Sequence, residues 1–251
     1  QFKPDGVIGV GGYAAGPCIL AARFLQIPTA VLEQNAVVGF TNQVSSYLAQ
    51  TVFTAFDEPI SGIPPRKCIY TGNPTRSQMK PAPKTSDTFV IFVFGGSQGA
   101  TGINQLMTEA AKKLPAASFR IIHQTGPRDF DWVQRAYKEM AFPAEVHSFI
   151  DDMQAMYYQC SLVVCRAGSS TIAELGATQN AAIFIPYPLA AQNHQEKNAR
   201  ICEKAGAAYV LLQSESNADS LAKLFLSLRD NPEKIAQMRK NMAQFHKSML
   251  K

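Results

Sequence analysis

Residues 162–174, Leu-Val-Val-Cys-Arg-Ala-Gly-Ser-Ser-Thr-Ile-Ala-Glu, place Ser169, Ser170 and Thr171 directly after a short apolar run and just ahead of Glu174. That order predicts a buried strand passing into a helix whose N-terminus opens on a crevice. Unpaired N–H groups and the positive end of the helix dipole gather at such a point, and small hydroxyl residues leave room for a phosphate. The chemistry on offer is anion binding. The same junction also reads as a plain N-cap, because Ser and Thr are favoured there. Two glycine stretches, Gly11-Gly12-Tyr13-Ala14-Ala15-Gly16-Pro17 and Gly95-Gly96-Ser97-Gln98-Gly99-Ala100, repeat the device, each following an apolar run and preceding a helical pattern. Glycine there lets the backbone turn tightly and approach a diphosphate. Neither stretch is a G-x-G-x-x-G with an acidic residue about 20 positions on, and neither carries the lysine of a P-loop, which argues against a nicotinamide dehydrogenase or an ATPase. Ordinary strand-to-helix turns are the alternative reading for both.

Other polar residues admit two roles each. Glu174 can complement its helix dipole, or accept the hydroxyls of a ribose whose phosphates sit at the same helix end. Asn35, Gln195 and Asn198 stand at predicted strand ends or helix starts, where an amide can pair with sugar hydroxyls or cap a loop. Asp151 and Asp152 are read as helix caps rather than as an acid/base pair. His123, His147, His194 and His246 lack metal-ligand spacing, so no metal site is predicted. Five cysteines without a C-x-x-C pair favour reduced thiols.

These residues need a scaffold, and its pattern runs the length of the chain. Strands are predicted at 7–10, 29–32, 51–54, 67–70, 88–94, 120–124, 145–149, 162–165, 182–185 and 208–212. Helices are predicted between most of them, one of them starting within 192–198, and two more, 218–229 and 232–250, close the chain. Strands alternating with helices imply parallel sheets covered on both faces, with ligands beyond the carboxyl ends of the strands. Residues 72–87, rich in Pro, Lys and Ser, form the predicted linker, dividing the chain into a domain at 1–75 and another at 76–239. The first is small for a doubly wound unit, and the chain enters a strand almost at once, so a missing upstream segment is expected. Composition fits a globular protein, 46% hydrophobic and 17% charged, and no apolar run is long enough to span a bilayer. The net charge of +5 allows attraction to an anionic membrane surface or a phosphorylated substrate and does not argue for nucleic acid.

Taken together, Gly95-Gly96-Ser97-Gln98-Gly99-Ala100, Phe149-Ile150-Asp151-Asp152-Met153, Cys165-Arg166-Ala167-Gly168, Glu33-Gln34-Asn35 and Gly72-Asn73-Pro74-Thr75-Arg76 resemble the MurG family of bacterial N-acetylglucosaminyltransferases, in glycosyltransferase family 28. The resemblance implies an α/β protein of two Rossmann-like domains facing a cleft (the GT-B arrangement), the first incomplete at its N-terminus. The C-terminal helix, from about residue 240, would pack back on that first domain. It implies an inverting transfer of N-acetylglucosamine from UDP-N-acetylglucosamine to lipid I, the undecaprenyl-diphosphate-linked acceptor, giving lipid II for peptidoglycan. It places the enzyme at the cytoplasmic face of the inner membrane and implies no cofactor. By position, Ile150 would offer its backbone to the uracil and Arg76 would lie near the nucleotide. Ser97 and the turn Ser169, Ser170, Thr171 would hold the diphosphate, with Ile172 and Ala173 in the same substrate-binding stretch. Glu174 would take the ribose, and Asn35, Gln195 and Asn198 the sugar. Gly11, Gly12, Tyr13 and Gly16 would face the acceptor diphosphate, and Arg23 with Phe24 the membrane. The catalytic base, a histidine in relatives, is expected upstream of Gln1. Leu32, where many relatives have His, and residues 176–181, which lack the usual Gly-Leu-Pro type of turn, depart from the pattern. A 2-epimerase acting on the same nucleotide sugar and a non-catalytic nucleotide-sugar module are the competing readings.

Overall fold

Strands and helices alternate along the chain and sort into two parallel sheets. The structure, a computed structural model, describes residues 3–76, 79–82 and 88–248. In the first sheet β1 (Val7–Gly9), β2 (Thr29–Glu33), β3 (Thr51–Thr54) and β4 (Cys68–Tyr70) lie side by side in chain order. Their connections include α1 (Ala15–Phe24) and α2 (Phe40–Leu48). A right-handed crossover between parallel neighbours puts successive helices on one face when the strands advance in one direction. Accordingly Ile19 of α1 packs with Val31 and Val52 in a small apolar core.

The second sheet is doubly wound. Its strands are β5 (Phe89–Phe94), β6 (Phe119–Gln124), β7 (Ala144–His147), β8 (Leu162–Cys165), β9 (Ala182–Phe184) and β10 (Ala208–Val210), in the order β10-β9-β8-β5-β6-β7. From β5 the chain winds outward through β6 and β7, then returns and winds the other way from β8. Helices α3 (Thr101–Ala111), α4 (Phe130–Glu139), α5 (Met153–Gln159), α6 (Ser169–Thr178), α7 (His194–Lys204) and α8 (Ala218–Arg229) accompany them, and α9 (Pro232–Ser248) follows. Every residue of β5 and β8 is buried. Phe92, Phe94, Val163 and Cys165 enter one core, and Ile91, Val93, Leu162 and Val164 the opposite one. That two-sided burial is what the continuous apolar run 89–94 encodes, the expected strand start at Thr88 moving by one residue.

Several expected boundaries move. The strands expected at 7–10, 67–70, 145–149, 182–185 and 208–212 end where their neighbours stop pairing; β7, for example, pairs with β6 through His147, and Phe149 is exposed. Lys67 belongs to the short 3-10 turn Pro65–Lys67. The helix expected within 192–198 begins at His194, because Gln192 and Asn193 take left-handed φ angles of 53° and 55°. Asp152 caps α5, its Oδ1 accepting from the Ala155 N–H at 3.1 Å. The closing helix α9 rests mainly along α6 and reaches the first domain through Phe245, whose ring lies 6.4 Å from that of Phe56.

A buried polar network stands behind β6. His123, fully buried, meets the Tyr137 hydroxyl with Nδ1 and Asn104 Oδ1 with Nε2, both at 3.0 Å. Asn104 Nδ2 donates to the Thr125 carbonyl and to Asp129, each at 2.9 Å, so its Oδ1 is the acceptor and His123 carries its proton on Nε2. Burial pulls the His123 pKa down to about 3, against a smaller opposing pull from Asp129. The unfolded chain therefore binds one more proton than the native chain between about pH 6.5 and 3. Stability from this site is complete above that window and is lost as pH falls through it. Urea unfolding across this range is expected to show one extra proton taken up on unfolding, a component that His123→Phe removes. The same variant is expected to lower stability at neutral pH by roughly 1–3 kcal/mol for each polar group it orphans.

Candidate functional site

At the carboxyl ends of β5 and β8, where the winding reverses, lies a cavity of about 630 Å³. Reversal points of this kind are where open α/β sheets bind ligands. Gly95, Gly96 and Gly99 form one wall, with Thr101 and Gly102 at the start of α3, and Gly168, Ser170 and Thr171 at the start of α6 form another. Gly168, not a hydroxyl residue, occupies the N-cap position of α6, and neither it nor Ala100 ahead of α3 caps its helix with a side chain. The first N–H groups of both helices therefore lack intrahelical partners on the side of the cavity.

The glycines are there for space. A Cβ on Gly99, at φ 74°, would stand 1.9 Å from the Thr125 carbonyl oxygen, and one on Gly95 would stand 2.3 Å from the Ala100 Cβ. Gly96, at φ 98°, has nothing within 4 Å of a Cβ position and presents bare backbone. Behind the loop, the network of His123 and Asn104 continues to Asp129, which accepts from Thr101 Oγ1 at 2.7 Å, while Arg128 donates to that same hydroxyl. Burial pushes the Asp129 carboxyl up, but hydrogen bonds from Thr101, Trp132 and Asn104 and the Arg128 charge together hold it below the usual range.

Two guanidinium groups line the cavity, and no carboxylate or imidazole does among the described residues. Arg166 is the half-buried one. Its Nη1 donates to the carbonyls of Ile185 and Pro186 at 2.9 Å, its Nη2 to Gln213 Oε1 at 2.8 Å, and its guanidinium lies 5.4 Å from the centroid of the Tyr187 ring. Burial lowers its pKa, and an arginine remains a cation at neutral pH after such a shift. Two helix N-termini and two cations on one concave surface, Arg166 pinned and Arg128 largely exposed, form an arrangement able to attract a compact, multiply charged anion.

The residues singled out from sequence separate in space. Ser170, Thr171 and Gln195 line the cavity, and Gln195 Oε1 is held by the Tyr187 N–H at 2.9 Å. Ser169 lies in the first turn of α6, and Ser97 is exposed at the tip of the glycine loop. Ile172 and Ala173 turn into the core. Glu174 is half-buried and accepts from the Tyr157 hydroxyl at 3.0 Å. Ile150 is buried, and its N–H is taken by Gln124 Oε1 at 2.8 Å, while Gln124 Nε2 donates to the Gly96 carbonyl at 3.1 Å. In this structure that backbone N–H ties Ile150 to the glycine loop through Gln124. Arg76 is exposed and does not line the cavity. Gly11, Gly12, Tyr13 and Gly16 lie beyond β1 in the other domain, with Tyr13 97% exposed.

Asn35 and Asn198 find each other. Asn198, fully buried, accepts from the Ala36 N–H at 2.9 Å and donates to Asn35 Oδ1 at 3.1 Å and to the Ala167 carbonyl at 3.3 Å. An amide expected to read sugar hydroxyls is occupied as a tie between the domains. Glu33, also buried, organises the partner turn by accepting from the N–H groups of Asn35 and Gly39 and from Asn42 Nδ2. Arg128, Arg166, Tyr187 and Gln213 were missed by sequence reasoning. Only Arg166 carried a signal, a cation set directly after a buried apolar run.

Sequence models of the glycosyltransferase family 28 C-terminal and N-terminal domains match residues 90–251 and 1–54 respectively. The chain belongs to glycosyltransferase family 28. Family membership accounts for the two Rossmann-like domains facing a cleft. A UDP-N-acetylglucosamine–N-acetylmuramyl-(pentapeptide) pyrophosphoryl-undecaprenol N-acetylglucosamine transferase of Myxococcus xanthus is 45% identical over 244 residues, which is 95% of this chain and 64% of that protein. The chain thus spans less than two thirds of that relative's length. The crystal structure of Acinetobacter baumannii MurG superposes with a TM-score of 0.80 at 36% identity, covering 96% of this chain and 70% of that one. A UDP-GlcNAc 2-epimerase from Neisseria meningitidis superposes with a TM-score of 0.66 at 14% identity, covering 99% of this chain and 74% of that one, a likeness of fold alone.

Among the described residues there is no cluster of three or more His, Cys, Asp or Glu able to hold a metal ion. Removing the interdomain amide with Asn198→Ala is expected to speed hydrogen exchange at the Ala36 amide by at least tenfold while leaving exchange in β5 and β8 unchanged, as mass spectrometry of the two peptides would read. Gly99→Ala is expected to lower the melting temperature and to disorder residues 95–100, because the added methyl cannot clear the Thr125 carbonyl.

Proposed function

We propose that this chain is the donor-binding part of an inverting N-acetylglucosaminyltransferase, with the diphosphate of UDP-N-acetylglucosamine seated in the cavity between the glycine loop and the start of α6. The observation that carries the reading is the convergence of two uncapped helix N-termini with Arg128 and Arg166 on a surface free of lining carboxylates. Ser97, Ser169, Ser170 and Thr171 surround the phosphates, Glu174 takes the ribose from the first turns of α6, and Gln195 stands on the sugar side. Ile150, whose N–H is engaged by Gln124, would meet the base through its carbonyl. Arg76 belongs to the nucleotide's outer boundary, and the Gly11 to Gly16 loop to the acceptor's diphosphate. Asn35 and Asn198 set the distance between the domains and reach the sugar only if their mutual hydrogen bond opens.

In the proposed reaction the 4-hydroxyl oxygen of the muramyl residue of lipid I bonds to C1 of N-acetylglucosamine. The bond from C1 to the phosphate oxygen breaks, UDP leaves with the electron pair, and the configuration at C1 inverts. Charge grows on the leaving diphosphate, so donors preorganised around it lower the barrier. The hydroxyl proton needs a base, and the described lining residues offer no carboxylate or imidazole. Transfer therefore needs a group from outside this cavity to take that proton.

The acceptor implies a lipid surface. Among the described residues no helix is long and apolar enough to cross a membrane. Leu20, Phe24, Phe40, Val44 and Tyr47 of α1 and α2 are nonetheless exposed, Phe24 by 80%. Arg23 and Arg66 lie close enough to Lys67 to lower its pKa, behind burial as the first cause. An apolar patch with cations beside it suits peripheral docking on the anionic leaflet at the cytoplasmic face of the inner membrane.

Calorimetric titration with UDP and UMP tests the donor site. UDP is expected to bind at least tenfold more tightly than UMP, and Arg128→Ala to erase most of that difference; equal affinities for the two nucleotides would remove the diphosphate assignment. Incubation of the chain with UDP-N-acetylglucosamine and lipid I is expected to give no lipid II, and an epimerised sugar formed without acceptor would favour the 2-epimerase reading. Sedimentation with phosphatidylglycerol vesicles is expected to exceed that with phosphatidylcholine vesicles, and Phe24→Ser to reduce it.

A further inference from the structure

Tyr157, on α5, is fully buried and carries a hydroxyl that needs a partner. Side-chain groups in such places mostly bond to main chain or water. This one donates to Glu174 Oε2 at 3.0 Å, crossing from α5 to α6 to meet a half-buried carboxylate. Burial first, and the Glu174 charge second, hold the phenol pKa well above its usual value, so the group stays a donor at any working pH.

The tyrosine itself has little freedom. Its ring makes T-shaped contacts with Phe92 and Phe94, the centroids 5.7 and 6.2 Å away, and Phe94 lines the cavity. Its carbonyl accepts from Asn180 Nδ2 at 3.1 Å, just beyond the end of α6. The same amide donates to Thr178 Oγ1, which donates to the Glu174 carbonyl at 2.9 Å. Side chain and main chain of Tyr157 thus fasten α5 to α6 at two points. Glu174 lies one turn after Ser170 and Thr171, which line the cavity, and residues three and four apart share a helix face. Among the described residues Tyr157 is the one hydrogen-bond donor to its carboxylate. With Oε2 engaged, Oε1 keeps its lone pairs for a ligand's donors. A glutamate without such a tie surrenders rotamer freedom when it binds, and one already tied does not.

We propose that Tyr157 is the positioning residue for Glu174: its buried hydroxyl fixes the carboxylate towards the vicinal hydroxyls of the donor's ribose and so sets a preference for ribonucleotides over nucleotides lacking those hydroxyls. The proposal rests on the donor-site reading above and adds to it a residue that never touches the nucleotide. A tyrosine that only filled the core would support stability and leave the ribose preference alone.

Calorimetric titration of the chain with UDP, UMP and 2′,3′-dideoxy-UDP tests it. UDP is expected to bind at least tenfold more tightly than the dideoxy compound. Tyr157→Phe keeps the ring and loses the hydroxyl; it is expected to cut that ratio at least threefold and leave the ratio of UDP to UMP affinity unchanged. In a Glu174→Ala background the same change is expected to have no further effect on the ribose ratio. Each pair of nucleotides is titrated into one preparation, so an unfolded fraction cancels from the ratio, and Tyr157→Met takes its place should the phenylalanine variant not be recovered. UDP binding no better than UMP, or no UDP binding, would remove the donor reading and this proposal with it. UDP preferred over UMP but not over the dideoxy compound would remove the ribose role of Glu174. With both preferences present, the positioning role alone is overturned by an unchanged ribose ratio in Tyr157→Phe, by a parallel loss of the UDP-to-UMP ratio, or by a further fall in the Glu174→Ala background.

Discussion

Parallel strands that share a sheet all finish at the same edge, and every helix that follows a strand must start there. On that geometric constraint the candidate site depends. It brings the starts of α3 and α6 together although Thr101 and Ser169 stand 68 positions apart in the chain, and it does so where the winding reverses, because neighbouring crossovers there leave to opposite faces and open a crevice. The positive ends of the two helices are then close by necessity, and the local field favours a polyanion before any side chain contributes.

Side chains add charge and rigidity to that field. Arg166 is held by two main-chain carbonyls and Gln213 and lies over Tyr187, so its cation is placed and not merely present. The glycine loop is stiffened from behind by a chain of hydrogen bonds from Tyr137 through His123, Asn104 and Asp129 to Thr101. Such a network rigidifies when each member is satisfied and becomes costly when one is not. His123 fits this role as a neutral group whose tautomer its neighbours dictate. Gln124 extends the support by joining the Gly96 carbonyl to the Ile150 N–H, so the glycine loop and the segment at Ile150 are tied together.

Much of the architecture was legible because its signals are local. The run 89–94 is apolar at every position, which a strand buried on both faces requires, and the glycines at 95, 96 and 99 mark a turn that larger residues cannot make. Boundaries were less legible. The expected strand 145–149 ended at His147 because β6 ended opposite it, a fact about a partner and not about the segment. The left-handed residues Gln192 and Asn193, neither a glycine, delayed a helix that composition alone would start earlier. Among residues lining the cavity, Ser170, Thr171 and Gln195 were singled out from sequence because helix starts are visible there, whereas Gln213 and Tyr187 reach the cavity from segments with no pattern of their own.

By itself the sequence determined the alternation of strands and helices, the glycine and hydroxyl junctions at their ends, and so the α/β class and the sheet edge on which the candidate site lies. These follow from periodicity and backbone sterics, which act within a few residues. Tertiary structure alone decided which junctions share a cavity, that Arg166 is pinned beside them, and that Asn35 and Asn198 bond to each other across the domains. The physical reason is that partners far apart in the chain are chosen by packing and register, and a side chain's hydrogen-bonding capacity is assigned only when those partners arrive.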